Sequence, residues 1–159
     1  MAFVGLGSNL GDREANLARA AELLGQEGLR VRLRSSIYRA DPVEVIDQDE
    51  FLNQVVGCET GLAPERILAT CLKIEKTMGR VRTRMRGPRV IDIDLLLLGE
   101  TVRVGDGLEL PHPRMHLRRF VLVPLVEIAP QARHPGLGLT AAQMLERCPD
   151  RSRVERLVM

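Results

Sequence analysis

Two aspartates at alternating positions, Asp92 and Asp94, are the sharpest chemical feature of this sequence. They lie in an apolar run typical of a strand, where both carboxylates would point to one face, about 6.5 Å apart along the chain. Two like charges this close repel each other unless a cation lies between them. Carboxylate and phosphate oxygens are common ligands of protein-bound Mg²⁺. The pair therefore indicates a magnesium–phosphate site or, more simply, two solvent-facing acids on an exposed strand face.

A cluster of arginines comes just before this strand. Arginine stays charged and makes bidentate contacts with phosphate. Cations beside a carboxylate–metal site are what a bound triphosphate requires. A solvated loop or a nucleic-acid-binding patch is the alternative interpretation. The members of the cluster are Arg80, Arg82, Arg84, Arg86 and Arg89.

Polar residues elsewhere are more ambiguous. Glu75 lies near the C-terminal end of a predicted helix, where the helix dipole disfavours a carboxylate, and we expect it to be solvated. His112 lies between two prolines and could contact a phosphate or a nucleobase edge, or only stabilise the turn. His116 and His134 are predicted to be ordinary surface residues.

Aromatic side chains are scarce, with one Tyr, three Phe and no Trp. Phe51 is therefore notable, because Asn53 follows it by two residues on a predicted strand and offers a donor and an acceptor beside the ring. This combination suits a flat heterocycle. An asparagine that caps a strand ladder is the simpler interpretation.

The elements that must position these residues follow the order strand, helix, strand, strand, helix, strand. This order predicts an α+β fold, a ferredoxin-like βαββαβ sandwich whose mainly antiparallel sheet has helices on one face, with C-terminal additions. Hydrophobic periodicity and turn signals predict strands at 3–7, 29–38, 51–62 and 90–98, a helix that Asp12 caps, a helix from Pro64 to Gly79, an apolar run at 120–126, and a last helix that starts with a capping box at Thr140.

Length and composition restrict the possible classes of protein. The 159 residues predict one domain over 1–159, and a net charge of +2 argues against general polyanion binding. The spacing of Cys58, Cys71 and Cys148 predicts buried free thiols rather than a zinc site or disulfides. We expect a cytoplasmic protein, because we find neither a signal peptide nor an apolar stretch of about 20 residues.

Taken together, these motifs resemble the 6-hydroxymethyl-7,8-dihydropterin pyrophosphokinase family. The resemblance covers nearly the whole chain, and the run from Gly87 to Asp94 is its most specific part. The matching stretches, in the family's order, are Gly5–Asp12, Ser35–Tyr38, Phe51–Asn53, Gly79–Arg82, Gly87–Asp94, and Pro111–His112 followed by Arg118–Leu125.

The resemblance implies an ATP-dependent diphosphotransferase of folate biosynthesis. It would transfer pyrophosphate from MgATP to the hydroxymethyl group of the reduced pterin and release AMP, mainly by positioning and charge neutralisation. Two Mg²⁺ ions, ATP and the pterin are the implied cofactors and substrates. We expect a monomer that binds neither nucleic acid nor membrane.

Roles of individual residues also follow from the resemblance. Asp92 and Asp94 resemble the ligands of the two Mg²⁺ ions. The residues that resemble the catalytic set are these aspartates with Arg80, Arg82 and Arg89; those that resemble ATP contacts are Glu75, Arg82, Arg89, His112 and Arg118; and those that resemble the pterin pocket are Ala40, Asp41, Pro42, Val43, Phe51, Asn53 and Phe120.

The chain departs from the family pattern in two places. Many members carry an aromatic residue just before Gly-Pro-Arg, where this chain has Arg86, whose guanidinium can stack in its stead. The loop after Tyr38 lacks the threonine and double proline of some members. We expect altered loop dynamics rather than a different reaction.

Two other functions share some of these features. A single-stranded RNA-binding module can have the same fold, but such modules need exposed aromatics on the sheet, and the few rings here form no such cluster. A two-metal nucleotidyltransferase or nuclease could use the same aspartates, and it would release pyrophosphate or nucleotides instead of AMP.

Overall fold

The computed structural model describes residues 1–41, 50–79, 89–105 and 107–157. Within them the strands and helices follow the predicted order, except that two short strands replace the second predicted strand and that further elements follow the last one. The elements are β1 (Ala2–Ser8), α1 (Arg13–Gln26), β2 (Arg30–Arg34), β3 (Tyr38–Ala40), β4 (Phe51–Glu59), α2 (Pro64–Thr77), β5 (Asp92–Leu98), a 3₁₀ turn (Met115–Leu117), α3 (Arg119–Ile128), β6 (Arg133–His134), β7 (Leu139–Thr140), α4 (Ala141–Arg147) and β8 (Val154–Arg156).

The main sheet has the strand order β5-β1-β4-β3-β8, and β2 also pairs with β4. Every one of these pairs is antiparallel. The predicted α+β fold with an antiparallel sheet is confirmed. The single strand predicted at 29–38 is wrong, because β2 and β3 pair separately with β4 and Ser35 lies between them, donating its N–H to the Val55 carbonyl at 2.9 Å.

Local sequence signals account for the helix ends. Asp12 caps α1 by accepting from the Ala15 N–H, and Pro64 occupies the first turn of α2, where its missing N–H is tolerated. Gly79 follows α2 with a φ of 90°, a conformation that glycine adopts without strain. Thr140 and Gln143 form the predicted capping box of α4. These predictions are confirmed.

Two hydrophobic cores lie on opposite faces of the sheet. Leu17, Leu24 and Ile67 of α1 and α2 pack in one core with Val4 and Ile93. The predicted additions fill the other face, where α3 and α4 pack against it through a core that includes Val55, Leu96, Leu122 and Met144. The apolar run at 120–126 lies inside α3, and helices therefore cover both faces rather than the one that the βαββαβ pattern predicted.

Several side chains test the remaining predictions. All three cysteines are free and buried, as predicted. The prediction that His134 is a surface residue is wrong, because its side chain is buried and its Nδ1 accepts the N–H groups of Gly136 and Leu137. None of the described helices has the length and apolar character to cross a membrane.

Candidate active site

Strand register brings the predicted site residues onto one face of the sheet. Residues directly opposite each other in an antiparallel pair point to the same side. Gly7 lies opposite Asp92 on β5 and opposite Asn53 on β4, and Gly5 lies opposite Asp94. Ala40 of β3 lies opposite Phe51. This face, which also carries α3, therefore presents Asp92, Asp94, Asn53, Phe51 and Ala40 together.

The two aspartates lie at the start of β5, as predicted for a pair on one face. Asp94 is exposed and Asp92 half-buried, whereas Ile93 between them is buried. Within the described residues, no three His, Cys, Asp or Glu side chains lie close enough to hold a metal by themselves. Two carboxylates nevertheless fit Mg²⁺, which commonly keeps water and phosphate oxygens as its other ligands.

Glu75 anchors the strand that carries these aspartates. Its side chain is only 5% exposed, and its Oε2 accepts the Ile93 N–H at 2.8 Å. The prediction of a solvated Glu75 is wrong, because β5 is the last strand in the sheet order and the carboxylate satisfies a backbone donor there. Glu75 of α2 therefore fixes the backbone between Asp92 and Asp94.

Arg89 is the described member of the arginine cluster. Its Nη1 donates to Asp92 Oδ1 at 3.1 Å. Its backbone is tied to Asn9 at the end of β1, because the Arg89 N–H donates to Asn9 Oδ1 at 2.7 Å and the Asn9 N–H donates to the Arg89 carbonyl at 3.0 Å. Sequence reasoning did not identify this role of Asn9. Arg80, Arg82, Arg84 and Arg86 lie outside the described residues.

His112 is held by its backbone and by its ring. Its N–H donates to the Leu96 carbonyl at 2.9 Å, and its Nδ1 accepts the Arg114 N–H at 3.1 Å. Burial, followed by the positive charges of Arg118 and Arg114, lowers the pKa of His112 to about 4. The ring is therefore neutral at pH 7, with its proton assigned to Nε2 by the hydrogen bond at Nδ1. It can donate to an anion without carrying a charge.

The residues predicted for the pterin pocket include two half-buried rings and one buried polar side chain. Asn53 is buried, and its Nδ2 has no hydrogen-bond partner among the described residues. A buried donor of this kind carries a desolvation cost that a ligand acceptor would remove. Phe51 and Phe120 are half-buried, and the Arg118 guanidinium lies 5.7 Å from the centroid of the Phe120 ring. Asp41 is exposed beside Ala40, whereas Pro42 and Val43 lie outside the described residues.

Two charged groups border this face that sequence reasoning did not assign. Glu127 of α3 binds Ser36 and Tyr38, although the Ser35–Tyr38 stretch was recognisable as a motif. Arg153, just before β8, forms ion pairs with Asp41 and Glu50. These contacts join residues far apart in the sequence. The ion pairs of Arg153 form because β8 pairs with β3.

The chain is similar to known proteins in sequence and in structure. A family model described as 7,8-dihydro-6-hydroxymethylpterin-pyrophosphokinase matches residues 3–130. A Methylorubrum extorquens protein named 2-amino-4-hydroxy-6-hydroxymethyldihydropteridine pyrophosphokinase is 53% identical over 131 residues, which are 81% of this chain and 82% of the relative. A Bacillus subtilis protein of the same name is 45% identical over 132 residues, 82% of this chain and 79% of the relative.

Longer proteins also match. The folic acid synthesis protein fol1 of Pneumocystis carinii is 38% identical over 148 residues, which are 93% of this chain but 20% of that protein. The crystal structure of Plasmodium falciparum wild-type HPPK-DHPS with SDX-DHP has a TM-score of 0.70 at 15% identity, over 92% of this chain and 43% of that one. At this identity the structural match supports the fold alone.

Proposed function

The chain belongs to the 7,8-dihydro-6-hydroxymethylpterin-pyrophosphokinase family, and from this premise we propose how its residues perform the reaction. The enzyme transfers a pyrophosphoryl group from ATP to the hydroxymethyl group of 6-hydroxymethyl-7,8-dihydropterin and releases AMP, a step of folate biosynthesis. The observation that carries the assignment of residues is the shared sheet face. Asp92 and Asn53 flank Gly7 there, two strand spacings or about 10 Å apart.

Asp92 and Asp94 form the phosphate side of the proposed site. We assign them as ligands of Mg²⁺, with two ions in the complete site. The metal would supply charge neutralisation at the phosphates of ATP. Arg89 now pairs with Asp92, and it would turn to a phosphate oxygen once the carboxylate binds metal.

Further ATP contacts come from both sides of β5. His112 would donate its Nε2 proton to a phosphate oxygen, and Arg118 would add a positive charge. Arg80 and Arg82 are assigned to the phosphates from the family pattern, with Glu75 contributing through its hold on β5. These groups surround the transferred phosphoryl groups with positive charge and hydrogen-bond donors, which favours a transition state of spread negative charge.

The pterin would lie against Asn53, with Phe51 and Phe120 as the walls of a slot. Its polar edge would accept from the buried Asn53 Nδ2, and Ala40 to Val43 would line the rim. The hydroxymethyl oxygen then forms a bond to the β-phosphorus while the bond from that phosphorus to the α–β bridging oxygen breaks. The hydroxyl proton passes to solvent water, and AMP leaves with the bridging oxygen. Positioning and charge neutralisation account for the rate increase without a covalent intermediate.

The other candidate functions find no support. The described part of the sheet shows no cluster of exposed rings for base stacking, and the matching family is a pyrophosphokinase. We also propose a cytoplasmic monomer of one domain over 1–159. The place of β8 in the same sheet as β1 supports the single domain. Gel filtration combined with light scattering tests the oligomeric state.

Product analysis tests the proposed site. The protein with MgATP and 6-hydroxymethyl-7,8-dihydropterin should give AMP and the pterin diphosphate in equal amounts. Asp92→Asn and Asp94→Asn should each lower kcat by about a hundredfold or more, because each removes a charge from the metal site. Glu100→Gln changes an exposed acid just after β5 and should leave kcat unchanged.

Two outcomes would contradict this assignment. Formation of ADP would mean phosphoryl rather than pyrophosphoryl transfer. Full activity in both aspartate variants would place the metal elsewhere. The second ion is tested separately by varying free Mg²⁺ at saturating MgATP, where a further rise in rate is expected.

A further inference from the structure

Glu127, in the last turn of α3, connects that helix to the segment that enters β3. Its Oε1 accepts the Tyr38 hydroxyl at 2.6 Å, and its Oε2 accepts the Ser36 hydroxyl at 2.9 Å. The Ser36 N–H donates to the same carboxylate, at 3.0 Å from Oε2 and 3.1 Å from Oε1. One side chain thus receives three donors from a segment about 90 residues earlier in the chain.

Charge strengthens these hydrogen bonds. Burial opposes ionisation of Glu127, but the hydrogen bonds from Tyr38 and Ser36 outweigh it and lower the pKa of the carboxyl. Burial, followed by the hydrogen bond to Glu127, raises the pKa of Tyr38 to about 12. At neutral pH an ionised carboxylate therefore accepts from a protonated phenol, a charge-assisted hydrogen bond. Glu127 itself reaches solvent, whereas Tyr38 is buried.

A glutamate at this position does not stabilise α3 itself. A negative charge near a helix C-terminus opposes the helix dipole. Pro124 inside α3 cannot donate a backbone hydrogen bond to the Phe120 carbonyl, and a helix of ten residues is marginal by itself. Contacts with the rest of the protein must therefore fix the axis of α3. Asp150 holds its first residue by accepting the Arg119 N–H at 2.9 Å, and Glu127 holds its last turn.

The two elements that Glu127 joins are those that border the proposed pterin slot. Phe120 lies seven residues before Glu127, two turns away on the same side of α3. On the sheet, Tyr38 lies opposite Asn53 and Ala40 lies opposite Phe51. The distance between α3 and β3 therefore sets the distance between the Phe120 ring and the face that carries Asn53.

We propose that Glu127 is a positioning residue for the pterin, which sets the width of the slot between Phe120 and Asn53 by tying α3 to Ser36 and Tyr38. The proposal rests on the pterin site proposed above. Of the proposed ATP contacts only Arg118 adjoins α3, whereas the aspartates and Arg89 belong to β5 and the residues before it. Loss of the hydrogen bonds of Glu127 should therefore weaken pterin binding more than ATP binding.

Steady-state kinetics of Glu127→Gln, Tyr38→Phe and the double variant test this. Each single change should raise KM for the pterin about threefold to tenfold, with KM for ATP within about twofold, since each weakens a charge-assisted hydrogen bond near the surface. The double variant should raise KM for the pterin by less than the product of the two single increases, because both changes act on the same hydrogen bond. Glu146→Gln, at an exposed position of α4, is the matched control and should change nothing.

A second measurement separates positioning from stability. The dissociation constant of the pterin is measured by pterin fluorescence with the α,β-methylene analogue of ATP present, at a temperature where all variants are folded. In each variant it should rise by the same factor as KM for the pterin. A lowered Tm with unchanged pterin affinity would overturn the proposal, as would equal changes in both KM values. If Glu127→Gln does not fold, Tyr38→Phe provides the test, because it keeps the buried ring and removes only the hydroxyl. If the wild-type protein forms no pterin diphosphate, the proposed function itself is refuted.

Discussion

Gly7 is the residue at which the proposed phosphate side and the proposed pterin side of the site meet. It lies between Asp92 and Asn53 across the sheet. A Cβ atom at this position would lie 2.9 Å from Asn53 Oδ1, closer than such contacts normally allow. The absence of a side chain on Gly7 therefore lets Asn53 keep its orientation beside the β1 backbone.

Gly7→Ala should displace the Asn53 amide and weaken pterin binding. We expect kcat/KM for the pterin to fall about tenfold, as for the loss of one buried hydrogen bond, with KM for ATP little changed. Gly5→Ala is the matched control, because its Cβ would meet only the Leu96 side chain at an ordinary 3.6 Å. Pterin affinity equal to that of the wild type in Gly7→Ala would show that Asn53 does not bind the pterin in this orientation.

At the scale of elements, the segment that ends in β8 reaches the rim of the proposed slot. Arg153 donates to Asp41 at 2.8 Å and also pairs with Glu50. Asp41 follows β3 and Glu50 precedes β4, and Arg153 thus ties the ends of two strands that carry predicted pterin residues. These residues of the C-terminal segment lie beyond the 3–130 range of the family match.

Arg153→Gln should raise KM for the pterin about twofold to fivefold at low salt, because the ion pairs help to hold Ala40 and Phe51 in register. The pairs are exposed to solvent, so the difference from wild type should shrink in about 0.5 M salt. Arg151→Gln, an exposed arginine of the same segment, is the control. A salt-independent defect, or the same defect in Arg151→Gln, would contradict the role of these ion pairs.

At the scale of the whole molecule, burial of titratable groups links stability to pH. Burial raises the pKa of Cys58 to about 11 and, together with the nearby charges of Glu75 and Asp94, raises that of Cys71 to about 12. His112 has the opposite shift, since burial and neighbouring positive charges lower its pKa to about 4. The folded state thus disfavours the thiolate and the imidazolium.

Stability should therefore fall on both sides of a plateau near neutral pH. The unfolded chain releases thiol protons from about pH 9 upward while the folded protein keeps them, so the free energy of unfolding decreases by up to about 1.4 kcal/mol per pH unit for each thiol until the folded pKa is passed. On the acid side the unfolded chain binds a proton at His112 below about pH 6.5, whereas the folded protein does not bind it until about pH 4. The free energy of unfolding therefore decreases as the pH falls through this range. The loss of stability at alkaline pH and the loss at acid pH both arise because burial disfavours the charged form of these side chains.

Urea unfolding at a series of pH values measures this plateau. Cys71→Ala should be less stable at pH 7 because it leaves a small cavity, yet its stability should fall less steeply above pH 9. His112→Gln should likewise flatten the slope between about pH 6.5 and 4, although part of it should remain because the pKa of His134 is also lowered by burial. Slopes unchanged from wild type would show that these groups do not govern the pH dependence.

The parts of the fold that local sequence controls were predictable. The caps of α1 and α4, the proline start of α2 and the alternation of Asp92, Ile93 and Asp94 depend on a few neighbouring residues. The register of the sheet was not predictable in this way. It depends on which strands pair, and it decides that Asn53 and Asp92 share a face on either side of Gly7.

The family and the reaction were therefore determined by the sequence alone, because the motifs that carry them are contiguous runs of residues, and the same motifs supplied the proposed site residues. Only the tertiary structure decided that Glu75 is buried, that Asn9 holds Arg89 and that Glu127 joins α3 to Tyr38. Each of these polar groups is satisfied by a partner at least 18 residues away in the chain. Propensity and periodicity report on near neighbours, whereas a hydrogen bond between distant residues exists only once the cores have packed and brought its two ends together.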